Sequence, residues 1–336
     1  AGDPASTETN RSRNTRTSGV HHLRGETHAA EVTGSTGLSL NRIRPLDLHQ
    51  RYPCVADMQR ATRRRVPRFA LDYLEGGVTL GQNLAQNRAA LERIRFSPRY
   101  VINSGDDPDC SRELFGLRYA APFGVAPIGL GRLIWPRVAH YLAAAAQEHN
   151  IPFVLSGFAT TTLENIASVS CRAAWYQHYV CFDQDIDRDM LQRAKAAGYR
   201  VLVITVDIPT ANRRDHDLRN GVSVPPRIDW RTMRSAATCP AWSLATLKSG
   251  LPQFENLLPY LPTGSTLEQT TTFLTQLIEG HVTPEKLAWI RENWEGKLIV
   301  KGILDPVDAR TCMQAGADGL VVSNHGGRQL DGCRSA

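Results

Sequence analysis

The residues with the clearest chemical content lie near the C-terminal end, in Val321-Val-Ser-Asn-His-Gly-Gly-Arg-Gln-Leu-Asp-Gly332. An apolar run ends here and delivers His325 and Arg328, with Gly326 and Gly327 freeing the backbone to turn sharply. An imidazole accepts a proton near neutral pH. A guanidinium a few residues on grips a carboxylate through two parallel hydrogen bonds. A base beside a carboxylate clamp describes chemistry at a carbon next to a carboxylate. Read blandly, these are a satisfied histidine and a surface arginine on a loop. The whole Ser-Asn-His-Gly-Gly-Arg-Gln string at the end of an apolar run favours the chemical reading.

Such a loop needs a scaffold, and the sequence supplies a repeating beat. Short apolar runs occur at Phe123–Ala126, Ile151–Ser156, Ala174–Gln177, Val201–Thr205, Leu298–Lys301 and Gly319–Ser323. Helical stretches separate them, at Val138–His149, Thr162–Ala167, Arg188–Ala197, Pro284–Asn293 and Pro306–Ala315. Strands alternating with helices predict a parallel sheet buried on both faces. Ser156, Gln177, Thr205, Lys301 and Ser323 each close an apolar run. C-terminal strand ends carry the site in an α/β barrel. A doubly wound sheet also binds ligands at strand ends, but the Gly-rich fingerprint expected after its first strand is missing. The fold class expected is therefore α/β, of barrel type. Before the beat, Asp47–Arg95 reads as helical, with Gly76-Gly77 as a stop. One interval interrupts the beat. From about 215 to 284 the chain lacks a clean strand and holds Trp230, Trp242 and several Leu, as a lid, a packing element or a membrane-touching loop would.

Composition agrees. The chain has 336 residues, 42% hydrophobic and 21% charged, enough to bury a full core. A net charge of +6 suits an anionic substrate or cofactor, or contact with acidic lipid. No basic run interleaved with aromatics points to nucleic acid. The seven cysteines form no C-x-x-C pair, so a reducing compartment is expected. No apolar run reaches the roughly 18 residues needed to cross a bilayer. Residues 1–40 are rich in Ser, Thr, Gly and Arg and are expected to be a disordered tail. Its His21, His22 and His28 have no cysteine partners there, and no metal site is expected.

The C-terminal segment resembles the FMN-dependent L-2-hydroxy-acid dehydrogenases and oxidases, the family of glycolate oxidase, L-lactate dehydrogenase and mandelate dehydrogenase. The likeness runs from about Leu46 to Gly332. Lys301-Gly302 resembles the family's flavin-binding lysine and Thr205-Val-Asp207 its strand-four motif. Gln177-His-Tyr179 resembles its third-strand Gln-x-Tyr, and Ala126-Pro-Ile-Gly129 its first-strand turn. Asp72-Tyr73 with Gly76-Gly77 resembles the N-terminal element over the active site. The resemblance implies an FMN-binding (β/α)8 TIM barrel over 41–336 that oxidises an L-2-hydroxy acid, L-lactate foremost, to the 2-oxo acid. It implies that His325 is the base and that Asp207 holds its imidazole. Arg328 and Arg214 would grip the substrate carboxylate, with Tyr73 adding a phenol and Tyr179 lying near the substrate hydroxyl. Lys301 would face the flavin edge that gains charge on reduction. Ser156, Gln177 and Thr205, with the Pro127-Ile128-Gly129 turn, would bind the flavin ring. Gly129, where oxidases more often carry Ala, implies a quinone or other carrier as electron acceptor, with oxygen as the alternative. A cytoplasmic homo-tetramer, in peripheral contact with the inner membrane through the long loop, completes the expectation.

The chain departs from the family pattern in places. The family's Asp-Gly-Gly-x-Arg and Gly-Arg phosphate segments do not follow Gly332, so the barrel is expected to lack its last two β/α units here. A truncated, non-catalytic fragment is the alternative that this leaves open. Trp135-Pro-Arg-Val-Ala139 replaces a His-Pro-x-Gly-Glu, and Phe158 stands at a position that shapes substrate size.

Overall fold

A computed structural model of the protein describes residues 51–102, 108–170, 173–210, 230–262 and 276–336, with isolated positions outside these runs. The chain divides after Arg51, and Tyr52–Ala336 forms the folded unit that carries the elements below. The tail with its histidines, Cys171 and Arg213 lie outside the described residues.

The helical N-terminal region resolves into α1 (Val55–Arg63), α2 (Arg68–Glu75) and α3 (Gln82–Arg93). Gly76 ends α2, though in an extended rather than a left-handed conformation. A hairpin of β1 (Arg112–Leu114) and β2 (Leu117–Tyr119) follows. The alternating part then runs α4 (Gly131–Ile134), α5 (Val138–Glu148), β3 (Phe153–Ser156), α6 (Leu163–Val169), β4 (Ala174–His178), α7 (Gln184–Ala196) and β5 (Val201–Thr205). In the long interval come α8 (Trp230–Ala237) and α9 (Pro240–Ser249), before α10 (Pro284–Asn293), β6 (Lys297–Ile303), α11 (Pro306–Gln314) and β7 (Gly319–Val322). Local chemistry sets the helix starts. Thr162, Asp183, Thr283 and Asp305 each accept a backbone N–H of the first turn, and Pro284 and Pro306 sit where a helix needs no N–H.

β3 to β7 pair in chain order, every neighbour parallel. This is the α/β barrel sheet. The expected first strand, Phe123–Ala126, is reduced to a single bridge between Val125 and Phe153. Val125 N donates to Pro152 O and Val125 O accepts from Val154 N, but Pro127 has no N–H to extend the ladder.

Side chains alternate along each strand. Leu155, Tyr176, Leu202, Ile204, Leu298 and Val300 point outward and pack with Leu163, Ile166, Met190, Leu191, Leu287 and Ile290 of the helices. Each such fully buried aliphatic side chain contributes about 1.5–3 kcal/mol. Trp175, Val201, Val203 and Ile299 point inward, where Tyr119 of the hairpin packs on them and accepts a hydrogen bond from Trp175 Nε1 at 3.0 Å. The same period carries the polar residues: Ser156, Gln177, Thr205 and Lys301 lie two positions beyond inward-facing Val154, Trp175, Val203 and Ile299. They form a polar layer at the C-terminal end of the sheet.

Candidate active site

Asp207 leaves β5 two residues after Thr205, and His325 leaves β7 two residues after Ser323, from opposite sides of β6. His325 Nδ1 lies 2.8 Å from Asp207 Oδ1. Lys301 Nζ stands 3.7 Å from Asp207 Oδ2 and 3.5 Å from the same imidazole nitrogen. The shorter contact decides the tautomer: Nδ1–H donates to Asp207 and Nε2 keeps its lone pair. Two backbone features allow this meeting. Gly302, at φ +110°, brings β6 so close that an added Cβ would lie 2.5 Å from Asp207 Cβ. His325, Gly326 and Gly327 take φ of +58°, +66° and +71°, one left-handed turn. It is closed by Gly327 N donating to Asn324 O and Oδ1 and by His325 N donating to Ser323 Oγ. A non-glycine residue held in this conformation is the kind of strain found at functional sites.

Burial pushes the His325 imidazole below its ordinary value, and Lys301 and Arg214 act in the same direction against Asp207. Burial likewise lowers the Lys301 ammonium, against the pull of Asp207. A base so placed is neutral and ready at pH 7. Its protonation, and with it the loss of proton abstraction, sets in only as pH falls through a value below about 6.5. A pH profile of substrate-driven reduction should therefore be flat at neutral pH and fall on the acid side. In the Asp207→Asn variant that acid limb should move lower still, because the anion that favours the imidazolium is gone.

Around this centre lie the other expected residues. Tyr179 follows β4, stacks at 4.6 Å on Phe158 and shares a hydrogen bond with the Ser156 hydroxyl; burial pushes its phenol up. Ser156 Oγ also accepts from Phe158 N at 3.2 Å. Pro127, Ile128 and Gly129 form the turn after Val125, and Gly129 O accepts the Tyr73 phenol at 3.3 Å. Both expected arginines reach the Tyr73 ring, Arg328 at 5.2 Å and Arg214 at 5.7 Å. Arg214 also acts electrostatically on His325 and Tyr179. Arg328 does something the sequence did not indicate. Its guanidinium donates to Tyr73 O, Leu74 O and Gly76 O, the carbonyls that a helix end leaves without partners.

Further residues missed by sequence reasoning hold the N-terminal helices over the site. Asn87 and Asn324 exchange amide hydrogen bonds of 2.9 and 2.7 Å. Asp331 accepts from Asn83 N at 2.9 Å at the start of α3 and from Thr79 Oγ1 at 2.9 Å. Asparagines and an aspartate scattered over the chain leave no local signal; only the neighbouring glycines hinted at close approach.

The sequence pattern of the FMN-dependent dehydrogenase family matches residues 62–336. The chain belongs to this family. Among its relatives are the L-lactate dehydrogenase of Pseudomonas syringae pv. syringae (strain B728a), 40% identical over 281 residues that cover 83% of this chain and 73% of that protein, and the L-lactate dehydrogenase of Caulobacter vibrioides (strain NA1000 / CB15N), 39% identical with the same coverage. Similar solved structures include that of the monotopic membrane protein (S)-mandelate dehydrogenase, with a TM-score of 0.78 at 33% identity, covering 83% of this chain and 74% of that one. Mandelate oxidase with (S)-4-hydroxymandelic acid is similar at a TM-score of 0.68 and 32% identity, covering 84% and 73%. As a member of an FMN-dependent family the protein is an enzyme whose cofactor is FMN. The residues fit its ring. Both amide atoms of Gln177 and the Thr205 hydroxyl are buried with no hydrogen-bond partner among the described residues, and buried polar groups call for one. A flavin ring edge, which alternates carbonyl acceptors with an N–H donor, is such a partner.

Proposed function

We propose that this enzyme oxidises an L-2-hydroxy acid, with L-lactate the first candidate, to the 2-oxo acid. The observation that carries the reading is a histidine held by Asp207 beside two guanidinium groups on one tyrosine ring. The relatives that are L-lactate dehydrogenases favour lactate. In this reading Arg214 and Arg328 hold the substrate carboxylate, and Tyr73 lies between them. Tyr179 meets the hydroxyl at C2. His325 Nε2 takes the proton from C2 or from the C2 hydroxyl, and Asp207 steadies the imidazolium through Nδ1. Lys301 offers a fixed positive charge beside the polar layer. Ser156, Gln177, Thr205 and the Pro127-Ile128-Gly129 turn seat the ring. Bound FMN would supply the acceptor for the two electrons and the second proton that the substrate gives up, with a quinone or similar carrier as the final electron acceptor.

The test is anaerobic titration of the FMN-loaded protein with L-lactate, glycolate and L-mandelate. Bleaching of the flavin absorbance with one 2-oxo acid formed per flavin is the expected result. A protein that binds FMN but is bleached by none of the three overturns the reading.

We also infer peripheral contact with a membrane surface. Phe69 and Trp242 pack edge to face at 5.6 Å and tie α9 to α2, so part of the long interval is packing element. The other faces of α8 and α9 expose Trp230, Met233, Leu244 and Leu247, followed by Leu251, among Arg231, Arg234 and Lys248. Apolar side chains ringed by basic ones suit an anionic lipid interface. The monotopic (S)-mandelate dehydrogenase adds support. No described helix is long and apolar enough to cross a membrane. Leu247→Glu with Leu251→Glu should abolish co-sedimentation with anionic vesicles while leaving lactate-driven bleaching intact. Unchanged co-sedimentation would place any lipid contact elsewhere.

A further inference from the structure

A second charged cluster lies behind β4, in the layer between sheet and helices, and takes no part in the reaction described above. His178, the last residue of β4, is buried with its side chain on the outer face. Its Nε2 lies 2.7 Å from Oδ1 of Asp187, in the first turn of α7. The same oxygen accepts from Cys181 N at 2.9 Å. Lys286, from the start of α10, places Nζ 3.1 Å from Asp187 Oδ2 and 3.5 Å from Glu279 Oε2, and donates to Cys181 O at 3.3 Å. Tyr176 Oη completes the group, 3.4 Å from His178 Nδ1.

Taken alone, His178, Cys181 and Asp187 would make a metal donor set, with ligand atoms within 4.8 Å of one another. Lys286 argues otherwise, because its ammonium already stands on the carboxylate that would face the ion. Burial and Asp187 also push the Cys181 thiol up, away from the thiolate that a metal requires. Stability is a weak reason for the cluster too, since buried ion pairs are often replaceable by apolar groups at no cost. What the cluster controls is geometry. Side chains alternate across a strand, so fixing His178 outward directs Gln177 and Tyr179 inward. The same groups hold the backbone N–H and C=O of Cys181, on the far side of Tyr179. Beyond them, Glu279 N donates to Val180 O and Phe182 N to Leu277 O, so the returning end of the long interval shares the anchorage.

We propose that His178, Asp187 and Lys286 are positioning residues that aim Tyr179 into the active site. The functional consequence rests on the hydroxy-acid reading; the anchorage itself does not. Two measurements separate them. In Asp187→Asn, hydrogen exchange of the Gln177–Phe182 segment should quicken relative to the parent protein. In flavin reduction, Asp187→Asn should lose on the order of 100-fold in kcat/KM, the cost of a misplacement of about 1 Å. The double variant with Tyr179→Phe should lose no more than Tyr179→Phe alone, because a misplaced phenol and an absent one are equivalent. A merely structural role would multiply the two losses, and that result overturns the proposal. So does unchanged exchange. Should Asp187→Asn fail to fold because Lys286 keeps only Glu279 as an ion partner, Asp187→Asn with Lys286→Met removes the Asp187–Lys286 pair whole and enters the same cycle. If no 2-hydroxy acid bleaches the parent flavin while exchange quickens as expected, the functional reading fails and the anchorage stands.

Discussion

Replacing His325 with Gln is expected to leave FMN bound and to lower the rate of substrate-driven flavin bleaching by at least about 10²–10⁴-fold, the usual contribution of a general base. The imidazole is held by Asp207 at 2.8 Å, with Lys301 at 3.5 Å, while the buried polar atoms that call for a flavin partner belong to Gln177 and Thr205. Loss of the imidazole therefore removes proton transfer without emptying the ring's seat. Glutamine keeps a donor toward Asp207 but offers no basic nitrogen. The loss should also erase the acid limb of the pH profile, because the group that titrates is gone. Stopped-flow bleaching at saturating substrate, with FMN content measured from the same sample, decides the matter. A variant reduced at close to the parent rate would mean that His325 is not the base.

Replacing Gly302 with Ala is the second large effect expected, and it acts on fold and site together. The added Cβ would meet Asp207 Cβ at 2.5 Å, Cγ at 2.6 Å and the Asp207 backbone nitrogen at 2.9 Å. Backbone cannot swing aside as a flexible side chain can. A φ of +110° adds conformational strain of about 1–3 kcal/mol for a residue with a Cβ. Overpacking adds about 1–3 kcal/mol more. Together these make about 2–6 kcal/mol, so at roughly 2–4 °C per kcal/mol for a domain of this size Tm should fall by about 4–24 °C. Any relief must push Asp207 away from His325, so bleaching should slow even in the protein that remains folded. Gly198→Ala is the control, since that glycine has φ +88° but nothing within 4 Å of the added atom. It should show the strain alone and leave the rate untouched. Equal losses of Tm in both variants would show that contact with Asp207 plays no part.

By itself the sequence determined the alternating elements and the end of the sheet at which the chemistry sits. Both are local properties. Apolar runs of strand length, side-chain caps at Thr162, Asp183, Thr283 and Asp305, and prolines at the first helical position act within a few residues. Ser156, Gln177, Thr205 and Lys301 each close an apolar run, so the polar strand ends were legible, and the two-residue period that ties them to inward-facing Val154, Trp175, Val203 and Ile299 puts them on one face in the fold. His325 and Arg328 stood out because a left-handed turn needs the glycines beside them. Tertiary structure decided the pairings. Whether Asp207 meets His325 depends on the register of β5, β6 and β7 and on a bulge near Gly302. Whether Arg328 reaches the end of α2, or Asp331 the start of α3, depends on how distant loops pass one another. The single-bridge first strand and the His178–Asp187–Lys286 cluster were hidden for the same reason. Periodicity and capping are written in neighbouring residues, whereas a contact between segments far apart in the chain is fixed only when packing has set register and loop path.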